Sequence, residues 1–361
     1  MPDSLSHKKV SVLFLLPGLD AGGAERVAIR LMISLSQGTD FLPSLATLNG
    51  EGPLAEIIPA NIPVHDVAGK GSSITAFFNL CRLWKKEKPK IVLSTLTMMN
   101  FMACFAAIFF PKTKLIVREA TLPSYFFQTY PAYAWIIRLA YQVLYRRANI
   151  VIAPSAPVLK ELQDIMGPNG CRLEMLYNPV KSPIKTTMKK NTGKTVFLSV
   201  GRLNFQKGLD TLIGSLENTS MPYDWKWIIV GDGPQKEELS DLIKMRGLTD
   251  RIDLAGYHKS PEKFYEEADA LLLPSRWEGM PNVALEALSY GIPVLSLQTA
   301  GGVTEIAELS PPNTVLVAKD AAALVQIMAE KKWEREYRNL LPDIFLEEHV
   351  FQSFTDILRR A

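Results

Sequence analysis

ALLLPSRWEGMPNVALEALSYGIPVLSL, residues 270–297, reads as strand, turn, helix and strand in succession. Ala270–Leu273 is a short apolar run ended by Pro274, the pattern of a strand buried on both faces. Pro281 suits a first helical position, where its missing N–H costs nothing. Gly291 with Pro293 closes the helix, so a short helix of roughly 282–290 is expected. Val294–Leu297 is the next apolar run. Two such strands joined through a helix form a βαβ unit of a parallel sheet.

The same alternation extends in both directions. Upstream and downstream lie apolar runs at Thr195–Val200, Trp227–Val230, Ile252–Leu254 and Thr314–Val317, separated by short helices. The first half repeats the pattern with strands at Val10–Leu16, Phe41–Leu48, Ile91–Ser94, Lys114–Val117 and Ile150–Ala153. Helical spacing appears near 24–36, 74–87 and 131–147. Between the halves, KSPIKTTMKKNTGK (181–194) has the turn formers and polarity of an exposed linker. The fold class is α/β. Its domains are an N-terminal Rossmann-like domain over 1–180, the linker 181–194, a C-terminal one over 195–342, and a terminal helical stretch, 343–361, that could pack on either domain. Two parallel sheets so joined predict a cleft at their strand C-terminal edges.

A chain of 361 residues supports about two domains. With 47% hydrophobic and 21% charged residues it has the composition of a packed globular protein. Three cysteines without a CxxC argue against a disulfide framework and for a reducing compartment, which makes the expected location cytoplasmic. The polar start and early apolar run do not have a signal peptide's layout, and Met98–Phe110 is shorter than the ~20 residues of a membrane-spanning helix. Scattered histidines and the lack of any Asp-x-Asp leave a metal without evident ligands. Charge is asymmetric: residues 1–190 carry 22 Lys and Arg against 12 Asp and Glu, and the remainder 18 against 25. A basic half without a nucleic-acid motif suits either an anionic membrane surface or a phosphate-bearing ligand, or simply solvates one domain.

Several loops fall where parallel sheets bind ligands. After Thr195–Val200 comes GRLNFQKG (201–208), whose Arg202 and Lys207 can converge on one diphosphate, the first as a fork and the second as a point charge. Glu278 precedes the 282–290 helix and Glu286 lies within it. Eight residues of helix span ~12 Å, too far for an acid/base dyad, so the two carboxylates are expected to hold different parts of one extended ligand. The helix start between them, at Gly279, Met280 and Pro281, can present N–H groups to phosphate. Gly301–Gly302 and Glu305 follow the next strand. Gly22–Gly23 opens the first helix, and GDGP (231–234) follows another strand. Neither completes GxGxxG or a P-loop, and helix capping explains both equally well. Singly, each of these residues fits an ordinary turn or solvated face; their order does not.

EGMPNVALEA with Glu278-x7-Glu286, GRLNFQKG, VGDGP and AGGVTEI resemble the retaining, nucleotide-sugar-dependent glycosyltransferases of family 4, which have the GT-B fold. The likeness is densest over 195–306 and extends to GLDAGGAERV and LYNPV (176–180) in the first half. The resemblance implies that Arg202 and Lys207 bind the donor diphosphate and stabilise the leaving group, and that Glu286 holds the ribose hydroxyls. It places Glu278 with Gly279 and Met280 against the donor sugar. Gly22 and Gly23 would approach donor phosphate or acceptor, and Tyr257 the base. Some relatives carry a histidine after the late first-domain strand; here Val117 is followed by Arg118, Glu119 and Ala120, so Arg118 or Glu119 becomes the possible acceptor-side group. With fixed cations supplying the charge, no metal or other cofactor is expected.

The expected activity is hexosyl transfer from a nucleotide diphosphate sugar, a UDP-sugar first and GDP-mannose second, to a glycan or lipid-linked glycan acceptor in cell-surface polysaccharide or glycolipid synthesis. Tyr125, Phe126, Phe127, Tyr130, Tyr133, Trp135, Tyr141 and Tyr145, with Arg146 and Arg147, suit a peripheral membrane contact, although the aliphatic residues among them must bury and could draw several aromatics inward. The alternatives are a nucleotide-sugar epimerase of the same fold and a non-catalytic sugar-nucleotide-binding protein. The incomplete GxGxxG disfavours an oxidoreductase.

Overall fold

β1 (Val10–Leu16) is the third strand of a seven-stranded parallel sheet. It is joined there by β2 (Phe41–Thr47), β3 (Val64–Asp66), β4 (Ile91–Thr95), β5 (Lys114–Arg118), β6 (Ile150–Ala153) and β7 (Arg172–Met175) in the order β3-β2-β1-β4-β5-β6-β7. The computed structural model describes residues 9–20, 22–68, 72–168, 170–181, 193–216, 221–330, 332–336 and 338–361. Residues 182–192 of the predicted linker lie outside them. The chain divides into two compact units, one running to Pro179 and including Glu348–Ala361, the other Val180–Glu347.

In the first unit the connections are α1 (Gly23–Gln37), α2 (Ser73–Glu87), α3 (Thr97–Ala107), α4 (Pro123–Thr129), α5 (Ala134–Leu144) and α6 (Ala156–Met166). Side-chain alternation along the strands decides which helices each residue meets. Leu13, Leu15, Val92, Leu115, Val117 and Val151 pack with Leu80 and Trp84 of α2, Cys104 of α3, Tyr141 of α5 and Leu162 of α6. Phe14 points the other way.

The predicted strands recur within one or two residues. β3 and β7 were not anticipated, because as edge strands they are partly exposed and lack an apolar run. The helix expected over 131–147 is broken: Pro131–Tyr133 and Tyr145–Arg147 are 3₁₀ turns on either side of α5. Tyr141 and Tyr145 enter the core, while Ile136, Leu139 and Val143 of α5 remain exposed. Among the described residues, no helix is long and apolar enough to cross a membrane.

The second unit holds β8 (Thr195–Val200), β9 (Trp225–Val230), β10 (Ile252–Gly256), β11 (Ala270–Leu273), β12 (Val294–Leu297) and β13 (Val315–Ala318), all parallel, in the order β10-β9-β8-β11-β12-β13. Its helices are α7 (Leu209–Ser215), α8 (Lys236–Met245), α9 (Glu262–Glu267), α10 (Asn282–Ser289), α11 (Val303–Leu309) and α12 (Ala321–Glu330). Phe197, Trp227, Ile229, Leu272 and Leu295 pack against Leu212, Leu239 and Leu324 from the covering helices. Strand order reverses between β8 and β11, so the loops that leave these two strands part in opposite directions and open a crevice at their C-terminal ends.

The last helix, α13 (Glu347–Arg360), packs on the first unit. Its Phe354 meets the ring of Phe14 with centroids 6.4 Å apart. Arg359 pairs with Asp40 at 2.6 Å and Arg360 with Glu174 at 2.8 Å.

Candidate active site

The crevice at β8 and β11 is lined by Ser199, Gly201, Leu203, Lys207, Pro274 and Ser275. Residues 201–208 and 274–281 can form its walls because their backbones touch. Gly208 has φ +62°, and a Cβ there would lie 2.2 Å from the Pro274 carbonyl oxygen. Gly231, with φ +147°, would place a Cβ 1.8 Å from the carbonyl oxygen of Gly201. The GDGP turn is thus required by backbone packing beneath the 201–208 loop. No ligand is needed to account for it.

A 3₁₀ turn at Phe205–Lys207 lays the Lys207 side chain across the crevice. Its Nζ lies 2.7 Å from Glu278 Oε1, and the Ser275 hydroxyl donates to the same oxygen at 3.0 Å. Gln206 Nε2 donates to the Trp277 carbonyl at 3.0 Å and reaches Glu278 Oε2 at 3.4 Å. The Lys207 and Glu278 side chains are only 19% and 12% exposed, so this is a charge pair largely withdrawn from water and completed by hydrogen bonds. Arg276 rivets the two loops from behind. It forks onto Asp210 at 2.9 and 2.7 Å, lies 3.9 Å over the Phe205 ring, and its backbone N–H donates to Gln206. Burial pushes the Asp210 carboxyl up, but the hydrogen bonds and charge of Arg276 outweigh it and hold the group below its ordinary value.

Arg202 lies on the same loop but is exposed, and among the described residues it makes no hydrogen bond or ion pair. Gly279, Met280 and Pro281 are buried at the entry to α10. The helix begins at Asn282, within the expected range, with Pro281 as its cap residue instead of its first helical one. Glu286 lies half-buried on α10 and accepts from the Tyr265 hydroxyl at 2.8 Å. Tyr257 follows β10 and is 51% exposed.

The first unit holds the other expected residues. Gly22 caps α1 and Gly23 opens it, exposed; the Glu25 carboxylate folds back onto Gly22, where a Cβ would meet its Oε2 at 2.1 Å. Arg118 and Glu119, the possible acceptor-side residues, are buried at 1% and 0% exposure. As successive residues they leave the sheet on opposite faces. Glu119 points toward α3 and α5, accepting from Thr97 at 2.8 Å, from Asn100 at 3.2 Å and from Tyr145. Arg118 donates to Asn178, and burial lowers its pKa to about 10 despite the neighbouring Glu119 charge. Both side chains are buried within the first unit.

Burial raises the Glu119 pKa above its ordinary 4.5, against the hydrogen bonds that oppose the shift. The folded state therefore keeps this proton to higher pH than the unfolded chain does. The associated stability is present in acid and lost as pH rises through the raised pKa. Relative to Glu119→Gln, the wild type is expected to lose unfolding free energy as pH rises above the ordinary carboxylate range, read by urea denaturation at an acid and an alkaline pH.

Among the described residues, no group of three His, Cys, Asp or Glu side chains is placed to hold a metal ion. The sequence reading did not single out Arg276, Asp210 or Tyr265. Arg276 and Asp210 carried a signal, as opposite charges in one of the marked loops and just past the end of the other; Tyr265 resembled an ordinary core aromatic.

Residues 21–182 match Glycosyltransferase Family 4, and residues 181–339 match Glycosyl transferases group 1. An uncharacterized glycosyltransferase of Methanocaldococcus jannaschii is 32% identical over 185 residues, 48% of this chain and 46% of that protein, so the match spans about half the relative's length. An N-acetylgalactosamine-N,N'-diacetylbacillosaminyl-diphospho-undecaprenol 4-alpha-N-acetylgalactosaminyltransferase of Campylobacter jejuni is 27% identical over 299 residues, 80% of each chain. Among solved structures, Anabaena Alr3699/HepE in complex with UDP and glucose superposes with a TM-score of 0.79 at 18% identity, covering 98% of this chain and 100% of that one. The two matches together span residues 21–339, and the chain is a family 4-like glycosyltransferase with the GT-B fold.

Proposed function

We propose that the protein transfers a hexosyl unit, with retention, from a UDP-sugar to a lipid-linked glycan of the cell envelope. The observation that carries this reading is the Lys207–Glu278 pair at the β8/β11 crevice, with Glu286 one helix away on α10. Lys207 supplies a fixed cation for the departing diphosphate, Arg202 is free to swing onto it, and Glu278 faces the sugar. Glu286 takes the ribose. Retention follows if the acceptor hydroxyl attacks from the side the phosphate leaves and gives its proton to the departing oxygen. The Campylobacter relative, named for a diphospho-undecaprenol-linked substrate, supports a lipid-linked acceptor, and the UDP and glucose complex supports the donor class.

Membrane contact is proposed through α5. Trp135 is 68%, Leu139 49% and Val143 56% exposed, beside the exposed Arg138 and Arg146, which gives an apolar stripe rimmed by cations. Anionic vesicles should sediment the wild type but not a Trp135→Ser/Leu139→Ser variant.

Donor choice is tested with a panel of nucleotide sugars in thermal shift. The true donor at 100 times its Kd stabilises by ~2.7 kcal/mol, a Tm rise of roughly 5–10 °C, and no response to any UDP- or GDP-sugar would overturn the assignment. Nucleotide release should require acceptor, which separates transfer from epimerisation and from binding alone. Because protein cations carry the charge, EDTA is expected to leave that rate unchanged.

A further inference from the structure

We infer that Tyr265 is a positioning residue for Glu286 and sets how strongly the site distinguishes a ribose from a deoxyribose. The inference rests on the proposed reading of Glu286 as the ribose ligand.

A glutamate on a helix surface has three side-chain torsions and no fixed direction. Among the described residues, the Glu286 carboxylate has one hydrogen-bond donor, the Tyr265 hydroxyl, at 2.8 Å on Oε2. That donor is itself immobile. Tyr265 is 2% exposed, and its ring stacks on Tyr290, one turn beyond Glu286, with centroids 5.3 Å apart and planes 15° from parallel. Arg335 ties the elements that carry the two rings, donating from Nη1 to the Glu266 carbonyl at 2.7 Å and from Nη2 to the Tyr290 carbonyl at 2.8 Å.

With Oε2 held, the carboxylate plane is set before any ligand arrives. A carboxylate oxygen accepts two hydrogen bonds, so Oε2 keeps one lone pair and Oε1 keeps both of its own for a vicinal diol. Loss of the Tyr265 hydroxyl leaves the carboxylate in place but unoriented. The loss should therefore fall on the diol contact, on ground-state binding more than on the chemical step.

The experiment measures Kd for UDP, GDP and their 2′-deoxy counterparts by calorimetry on the full chain, with wild type, Tyr265→Phe, Glu286→Gln and the double variant. Tyr265→Phe removes one oxygen and retains the ring stack, and the ribo-to-deoxy ratio is internal to each folded protein, so a change in stability alone does not move it. For the nucleotide that binds, Tyr265→Phe is expected to weaken the ribo form roughly five- to tenfold and the deoxy form less than twofold, with KM rising and kcat little changed. The double variant should be no worse than Glu286→Gln. If Glu286→Gln lowers the ratio and Tyr265→Phe does not, the inference is overturned and the reading of Glu286 stands. If Glu286→Gln leaves the ratio unchanged, that reading fails as well.

Discussion

Lys207→Ala is expected to lower turnover at least tenfold and on the order of 10²-fold, measured as nucleotide release at saturating donor. Removing one preorganised donor from a developing oxyanion typically costs ~2.7–4 kcal/mol of transition-state stabilisation. Here the change has a second effect, because Lys207 is the cation on Glu278, whose side chain is 12% exposed. Without it a largely buried carboxylate loses its ion pair. Lys207→Arg keeps a charge and should retain part of the rate. A double variant with Glu278→Gln should lose less than the sum of the single losses, since the two side chains act as one unit. Wild-type kinetics in Lys207→Ala would remove the crevice from the mechanism.

Gly231→Ala is expected to cost at least ~3 kcal/mol of stability without touching any proposed ligand contact. Its φ of +147° is unfavourable for an L-residue, and the added Cβ would sit 1.8 Å from the Gly201 carbonyl oxygen, so two backbone segments must separate. A two-domain chain of this kind should show a Tm fall of roughly 6–12 °C or failure to fold. Gly247→Ala is the informative comparison: φ is +64°, but nothing lies within 4 Å of its Cβ, so it should pay strain alone. Equal losses in the two variants would show that conformation, and not the Gly201 contact, decides the cost.

These two sites also mark how far the sequence could be read. β1, β6, β8, β11 and β12 begin and end where their apolar runs do, because a parallel strand covered on both faces has no polar side to interrupt it. Edge strands escape that logic: Val64 of β3 is 43% exposed. Lys207 and Glu278 were each legible as polar residues leaving a strand, but not as a pair. They are 71 residues apart, and only the placement of β8 beside β11 brings them together. Strand parity explains the burial of Arg118 and Glu119. The segment looks like a polar loop, yet it still belongs to the sheet edge, and Glu119 turns inward onto Thr97, Asn100 and Tyr145. The Tyr265 hydroxyl was invisible for a related reason, since an aromatic in a core position shows its polar end only when its neighbours are known.

The position of α13 bears on how the protein is made. The first unit takes its covering residue Phe354, and the Arg359 and Arg360 ion pairs, from Glu348–Ala361, which a ribosome produces only after Val180–Glu347. At ~5–20 residues per second that interval lasts about 8–34 s, during which the nascent sheet presents Phe14 uncovered. Chaperone protection should concentrate in that window, and nonsense truncation within the final helix should be as damaging to solubility as a lesion near Phe14.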